Sequence, residues 1–343
     1  MAQTIYFYNA TDEDEEFFSH ELSDQEKWHV HFSEKCLKEI CDPADSTPPQ
    51  DTTILCVNHT SNVTKEFIDT LPQLKMIATR STGFNHIDLD AAKEKGIIVT
   101  NVPTYGENTV AEFAFSILLA LSRKIKPCIE SVDTGQVDYG QLRGFDLAGK
   151  TIGVIGTGRI GAHVIKIAKG FEMDVLGYDP YPNEELRQKY EFEYVDLDTL
   201  LGKSDVVTLH APSTEENTHL INKKTLAKMK NTAVLVNTAR GDLVETTDLI
   251  DALKDGVIAG AALDVMEGEN LLNFDEEANL IHSQAKTHEL QLAIEHEILE
   301  KMPNVVLTPH NAFNTEGALA RIRQTSLENI RAFADGNPKN IVS

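Results

Sequence analysis

The chain has 343 residues, 41% of them apolar and 25% charged, which is ordinary globular usage and enough apolar material for about two domain cores. Its 31 basic and 54 acidic residues leave a net charge of −23, which argues against nucleic acid or an anionic membrane as partner, since both need a basic footprint. The opening MAQTIYFYNATDEDEEFF lacks the basic flank and apolar stretch of a cleavable leader, and the most apolar run, Val110–Leu121, is interrupted by Glu112 and too short to span a bilayer, so a cytoplasmic location is expected.

In chain order, Thr4–Tyr8, Thr53–Val57, Leu74–Thr79 and Ile97–Thr100 read as short buried strands. Polar segments of helical length lie between them, and that alternation implies a parallel sheet covered on both faces. The acidic tract Asp12–Glu16 reads as a solvated loop or helix start, and Asp42–Asp51, DPADSTPPQD, as a loop by its prolines and acids. Val110, Phe113, Ala114, Ile117, Leu118 and Leu121 recur at helical spacing, while Phe115, Leu119 and Ala120 fill the other sides. A helix apolar nearly all round is buried in a core or at a subunit interface. Asn108 or Thr109 is its expected cap.

A second α/β series follows, with strands expected at Thr151–Ile155, Asp174–Tyr178, Asp205–Leu209, Ala233–Asn237, Ile258–Leu263 and Val305–Leu307. The last stretch, Thr315–Ala334, reads as one amphipathic helix. The four cysteines, Cys36, Cys41, Cys56 and Cys128, form no CxxC pair, so neither a disulfide framework nor a zinc site is implied. His29-x-His31 and the trio His282, His288 and His296 lack the cysteine or carboxylate partners of a tetrahedral set, and no metal is expected. His288 and His296 fall on a segment that reads as a solvated amphipathic helix.

Thr151–Gly161 reads TIGVIGTGRIG: an apolar strand runs into Gly156, Gly158 and Gly161, and a helical segment follows. In a dinucleotide loop the first glycine allows a tight turn, the second lets a pyrophosphate reach the backbone, and the third lets helix and strand pack closely. The helix N-terminus offers N–H groups and a positive dipole end to the phosphates. Asp179 ends the next strand, eighteen residues after Gly161. A carboxylate there accepts from ribose hydroxyls and repels a 2′-phosphate, so NAD is favoured over NADP. The alternative is a glycine turn with an unrelated surface aspartate, and the register of strand, helix and acid disfavours it.

Three further segments place polar residues just after apolar strands, where ligands of α/β sheets collect. VLVNTARG places Arg240, AALDVMEGE places Asp264 and Glu269, and VVLTPHNAF places His310. Singly, each has a bland reading: a surface ion pair, a solvated loop acid, a satisfied histidine at a helix start. Together they supply what reduction of a 2-oxo acid needs. A planar guanidinium holds a carboxylate or carbonyl oxygen with two donors. A histidine protonates the carbonyl oxygen, and a carboxylate on its other ring nitrogen orients it.

The chain resembles the D-isomer-specific 2-hydroxyacid dehydrogenase family, and most of all its D-lactate dehydrogenase branch. The matching segments are RSTGFNHID (Arg80–Asp88), NVPTYGENTVAE (Asn101–Glu112), VIGTGRIG (Val154–Gly161), LHAP (Leu209–Pro212), VNTARG (Val236–Gly241), LDVMEGE (Leu263–Glu269) and TPHNAF (Thr308–Phe313). The resemblance implies that Arg240 binds substrate and that Glu269 pairs with an acid–base histidine, His310. Glu267 competes for that pairing, but the spacing from Asp264 favours Glu269. Arg159, Ile160, Asp179, His210, Ala211, Pro212, Asn217, Thr238, Ala239 and Asp264 are implied as cofactor contacts, beside the three glycines. Thr82 and Gly83 resemble a loop whose backbone N–H groups hold the substrate carboxylate. Tyr105 and Phe313 resemble pocket aromatics of the lactate branch, and the long Glu269–His310 connection also leans that way. Gly106 departs from the family's serine after the pocket tyrosine.

The expected fold is therefore α/β: two Rossmann-like or flavodoxin-like parallel-sheet domains with an active-site cleft between them. Residues 1–103 and 311–343 would form the substrate domain, and 104–310 the NAD-binding domain. The resemblance implies a homodimer, which the apolar helix fits, and a small 2-oxo or 2-hydroxy acid substrate, pyruvate and D-lactate first. Another 2-oxo acid would keep the chemistry and change the pocket. Formate dehydrogenases share the fold but carry glutamine where Glu269 stands. NAD-sensing corepressors share the scaffold and much of the catalytic set, and absence of turnover with any 2-oxo acid would revive that reading.

Overall fold

The computed structural model describes residues 2–35, 37, 47–269 and 287–342. Cys36, Cys41, the first part of the Asp42–Asp51 loop, His282 and the side chain of His288 lie outside them. The chain divides into two units, Met1–Tyr105 with Thr315–Ser343, and Gly106–Asn314. The second division falls after Asn314 rather than at 310/311, because the N–H groups of Asn311 and Ala312 are bonded to the Asp264 carboxylate of the second unit. The first falls after Tyr105 rather than at 103/104, because Gly106 already accepts the first hydrogen bond of the helix Glu107–Ser122.

The first unit holds strands β1 (Gln3–Phe7), β2 (Trp28–Phe32), β3 (Thr52–Val57), β4 (Met76–Thr79) and β5 (Ile98–Thr100). They form one parallel sheet in the order β2-β1-β3-β4-β5. Both faces are covered, one by a cluster around Leu55, Ile77 and Val99, the other by one around Phe7, Ile54 and Met76. The helix Glu316–Ala334 packs Leu327 and Ile330 into the second cluster, and Thr315 caps its start. β2 was not expected. It is an edge strand that alternates buried Trp28 with exposed His29 and His31, so it lacks the continuous apolar run of its neighbours. The acidic tract proves to be the start of a helix, Asp12–Glu21, closed by a Thr11–Asp14 capping box. Asp14 is not solvated: it is buried against the Arg80 guanidinium at 2.5 Å.

The second unit holds β6 (Thr151–Ile155), β7 (Asp174–Tyr178), β8 (Glu193–Tyr194), β9 (Val206–Leu209), β10 (Val234–Asn237), β11 (Gly260–Leu263) and β12 (Val305–Leu307). They form a seven-stranded parallel sheet in the order β12-β11-β10-β9-β6-β7-β8. The order reverses at β6, whose neighbours are β7 and β9, and such a switch point opens a crevice at the carboxyl ends of the strands. The apolar helix Glu107–Ser122 packs on one face beside the helix Arg159–Gly170, and its Ala114, Phe115, Ile117 and Leu118 belong to that core. Its cap is Gly106, two residues before Asn108 and three before Thr109, neither of which caps it.

Candidate active site

Register brings the chemistry to one edge. Tyr178 pairs with Ile155, Ile155 with Leu209, Leu209 with Asn237, Asn237 with Leu263, and Leu263 with Leu307. The next residue of each strand is Asp179, Gly156, His210, Thr238, Asp264 and Thr308. Six segments that lie far apart in sequence thus leave the sheet in one row.

At the centre of that row, Gly156 has a left-handed φ of +87°, and a β-carbon there would fall 2.6 Å from the Ala211 nitrogen. Only glycine turns this tightly against the neighbouring loop. A β-carbon on Gly158 would instead meet open space at the N-terminus of the helix Arg159–Gly170, room that a pyrophosphate could use. Arg159 is exposed and Ile160 half-buried at that start. Asp179 closes the loop: Oδ2 accepts from Thr157 N at 2.7 Å and from Thr157 Oγ1 at 3.1 Å, and Oδ1 accepts from Tyr181 N at 2.9 Å. Thr157 also bonds the Tyr194 hydroxyl at 2.8 Å, and this brace had no signal in the motif, where Thr157 is a spacer.

Beyond β9, the His210 ring bonds Thr208 Oγ1 at 2.8 Å through Nε2, while the buried Nδ1 has no partner within the protein. Burial pushes His210 down from 6.5 to about 3, so the ring is neutral. Thr238 Oγ1, after the adjacent β10, is likewise buried and unpartnered. Buried polar atoms are ordinarily satisfied, so two orphans side by side on a ligand edge fit a polar ligand such as the dinucleotide. Ala211 and Pro212 follow His210, and the Asn217 amide holds their loop, donating to Pro212 O at 2.7 Å and accepting from Thr214 N at 2.7 Å.

Arg240 follows Ala239, and its Nη1 donates to Ala239 O at 2.6 Å. The buried side chain of Asn237 fixes this turn, donating to Arg240 O at 2.8 Å and accepting from Ala239 N at 3.0 Å. A polar residue ending an apolar strand was the available signal for Asn237.

His310 Nδ1 lies 2.6 Å from Glu269 Oε1, and Glu269 Oε2 accepts from Met266 N at 3.0 Å. Glu267 bonds His219 instead, at 2.7 Å. A carboxylate oxygen accepts, so the proton of this bond sits on Nδ1. His310 has a left-handed φ of 50°, uncommon for a side chain that is not glycine. Asp264 enforces it: its backbone oxygen accepts from His310 N at 2.8 Å, and its carboxylate accepts from Thr308 Oγ1, Asn311 N and Ala312 N at 2.6, 2.9 and 2.8 Å. Burial raises the Asp264 carboxyl despite those donors. Phe313 stands edge-on to the His310 ring, centroids 6.4 Å apart. His296, expected on a solvated face, is 3% exposed, and its Nε2 meets Glu267 O at 3.0 Å. Its helix, Thr287–Lys301, covers the sheet beside β12, so that face is interior.

Thr82, Gly83 and Tyr105 belong to the first unit. Ser81 Oγ donates to Gly83 O at 2.6 Å, Asn101 Nδ2 donates to Thr82 O at 2.8 Å, and Thr82 Oγ1 donates to Val102 O at 2.8 Å. The loop's carbonyls are tied down by side chains. Tyr105 O accepts from Arg321 Nε at 2.6 Å.

The model of the D-isomer specific 2-hydroxyacid dehydrogenase NAD-binding domain matches residues 115–312. An aromatic 2-oxoacid reductase of Clostridium sporogenes is 42% identical over 261 residues, covering 76% of each chain. A D-lactate dehydrogenase of Escherichia coli is 40% identical over 266 residues, covering 77% of each chain. The crystal structure of D-lactate dehydrogenase from Aquifex aeolicus, complexed with NAD and lactic acid, superposes with a TM-score of 0.84 at 33% identity, covering 98% of each chain. With the dinucleotide loop, Asp179 and the His310–Glu269 pair on one sheet edge, the chain belongs to the NAD-dependent D-isomer-specific 2-hydroxyacid dehydrogenases, oxidoreductases acting on a CH–OH group.

Proposed function

We propose that this protein interconverts pyruvate and D-lactate with NAD as a cytoplasmic homodimer. The observation that carries the reading is the His310–Glu269 pair, 2.6 Å apart on the edge that bears the dinucleotide loop. When bound, the dinucleotide supplies a hydride to the substrate carbon or takes one from it. Arg240 holds the substrate carboxylate or carbonyl oxygen with two donors. His310 Nε2 protonates the carbonyl oxygen during reduction and recovers the proton during oxidation, and Glu269 keeps the ring oriented. The backbone N–H groups of Thr82 and Gly83 are assigned to the carboxylate, and Tyr105 and Phe313 to the substrate side chain. The Escherichia coli relative supports the lactate reading. The second reading is a bulkier aryl 2-oxo acid, supported by the Clostridium sporogenes relative.

The test is NADH oxidation across pyruvate, hydroxypyruvate, 2-oxoisocaproate and phenylpyruvate, for the wild type and His310→Gln. Pyruvate is expected to give the highest kcat/KM, and His310→Gln to lower kcat by about 10²–10⁴-fold with NADH binding retained. Preference for phenylpyruvate would establish the second reading. Unchanged turnover in the variant would remove His310 from its role.

A further inference from the structure

We propose that His219 and Glu267 form a second histidine–carboxylate couple whose task is to position the first, by tying the Arg240 loop to the turn that carries Glu269. The proposal rests on the dehydrogenase reading above. Glu267 precedes Glu269 by two residues and is mostly buried. Its Oε1 accepts from His219 Nε2 at 2.7 Å and its Oε2 from Thr246 Oγ1 at 3.1 Å. Its backbone oxygen accepts from His296 Nε2 at 3.0 Å. The turn is thus held by three donors, from the His219 loop and from the helices Thr246–Lys254 and Thr287–Lys301.

The same turn touches both ends of the reaction machinery. Glu269 takes the Met266 N–H as its second hydrogen bond, at 3.0 Å. A β-carbon on Gly241, the residue after Arg240, would fall 2.0 Å from the Met266 carbonyl carbon and 2.4 Å from Glu267 N. The Arg240–Gly241 backbone therefore lies directly on Met266–Glu267, with no room for a side chain. Any rotation of that turn moves Glu269 and presses on the Arg240 loop.

His219 joins the two pieces. Its ring bonds the turn through Glu267, and its backbone N–H donates to Asp242 O at 2.8 Å, two residues past Arg240. Its own carbonyl accepts from Asn222 Nδ2 at 2.8 Å. It adopts a left-handed φ of 53°, which persists in a non-glycine residue only where surrounding bonds over-determine it. Since a carboxylate only accepts, Nε2 carries the proton, and an amide can replace that donor. His219 is a positioning residue: it acts on the reaction only through Glu267 and its turn.

The experiment compares the full-length wild type, His219→Ala and His219→Gln by two readouts. The first is steady-state kcat with pyruvate and phenylpyruvate, with NADH affinity measured separately. The second is the titration midpoint of the His310 ring by NMR, which needs no turnover. His219→Ala is expected to lower kcat about 10- to 100-fold at unchanged NADH affinity, the effect of a small misplacement of reacting groups. It should also lower the His310 midpoint as Glu269 loses its orientation, and His219→Gln should restore most of both. If the alanine variant melts early, Thr246→Val, which removes the other donor to the Glu267 carboxylate, is expected to move both readouts in the same direction. Wild-type kcat and an unmoved midpoint in His219→Ala, or losses that glutamine does not repair, overturn the proposal. A wild type that binds NADH but reduces no 2-oxo acid defeats the dehydrogenase reading alone, because the midpoint still decides whether His219 positions Glu269.

Discussion

His210 shows what burial does to one side chain. Its ring leaves the sheet in the row that follows the strand ends, yet burial holds it neutral, with a pKa of about 3 against 6.5 in the open. Between those values the unfolded chain binds a proton that the folded chain refuses, so stability falls as acid is added through that window and is unaffected above it. His86, in the first unit, is pushed to about 4 by burial and by His59 and adds to the same slope. The melting temperature of the cofactor-free protein is expected to drop from pH 7 to pH 5. His210→Gln, which removes one of the two titrations, should flatten that drop, and an equally steep drop in the variant would mean that the ring titrates as it does in water. Asp264 is the converse case at this scale. Its carboxyl is raised by burial, but three donors keep it accepting, and the turn it organises carries His310.

Among elements, the parallel strands act as a ruler. Each is short and apolar because both faces are covered, so a polar residue at a strand end is conspicuous in the sequence. That is why Asp179, Arg240, Asp264 and His310 were legible, and why half-exposed β2 and two-residue β8 were not. The loop after β6 and the acid after β7 form one device, since Asp179 holds the Thr157 backbone in the middle of the glycine turn. A hydrogen bond to a charged group contributes about 1.5–3 kcal/mol. Asp179→Asn is therefore expected to reduce selectivity for NADH over NADPH by about 10- to 100-fold in kcat/KM, with melting measured beside it. Undiminished discrimination against the 2′-phosphate would show that another group reads the ribose.

At the scale of the molecule, the dimer proposal finds its support next to the helix where the sequence placed it. Glu107–Ser122 spends its apolar surface largely on its own sheet. The following helix, Ile125–Thr134, buries none of its residues, and Ile125, Ile129 and Val132 lie on one face at 45, 59 and 75% exposure. The proposed dimer would bury that apolar stripe, since long-range repulsion between copies of net charge −23 must be overcome by local burial. Light scattering behind size-exclusion chromatography is expected to give a dimer mass for the wild type and a monomer mass for Ile129→Glu. A monomeric wild type would remove the homodimer from the proposal. The same net charge tells nothing of the proposed substrate: the anion would be received by Arg240 and by backbone N–H groups, whose pull is local.

The sequence by itself determined the two α/β series, the dinucleotide loop, and the places of Asp179, Arg240, Asp264, Glu269 and His310 after apolar strands. Those features are local, written in apolar runs, glycine spacing and polar residues at strand ends. Only the tertiary structure decided that Glu267 is taken by His219, that Asp14 and His296 are buried, that Asp264 braces a turn, and that Gly241 lies on Met266. These are pairings between segments far apart in the chain. Strand register and close packing set them, and neither a side chain's type nor its spacing in the sequence carries that information.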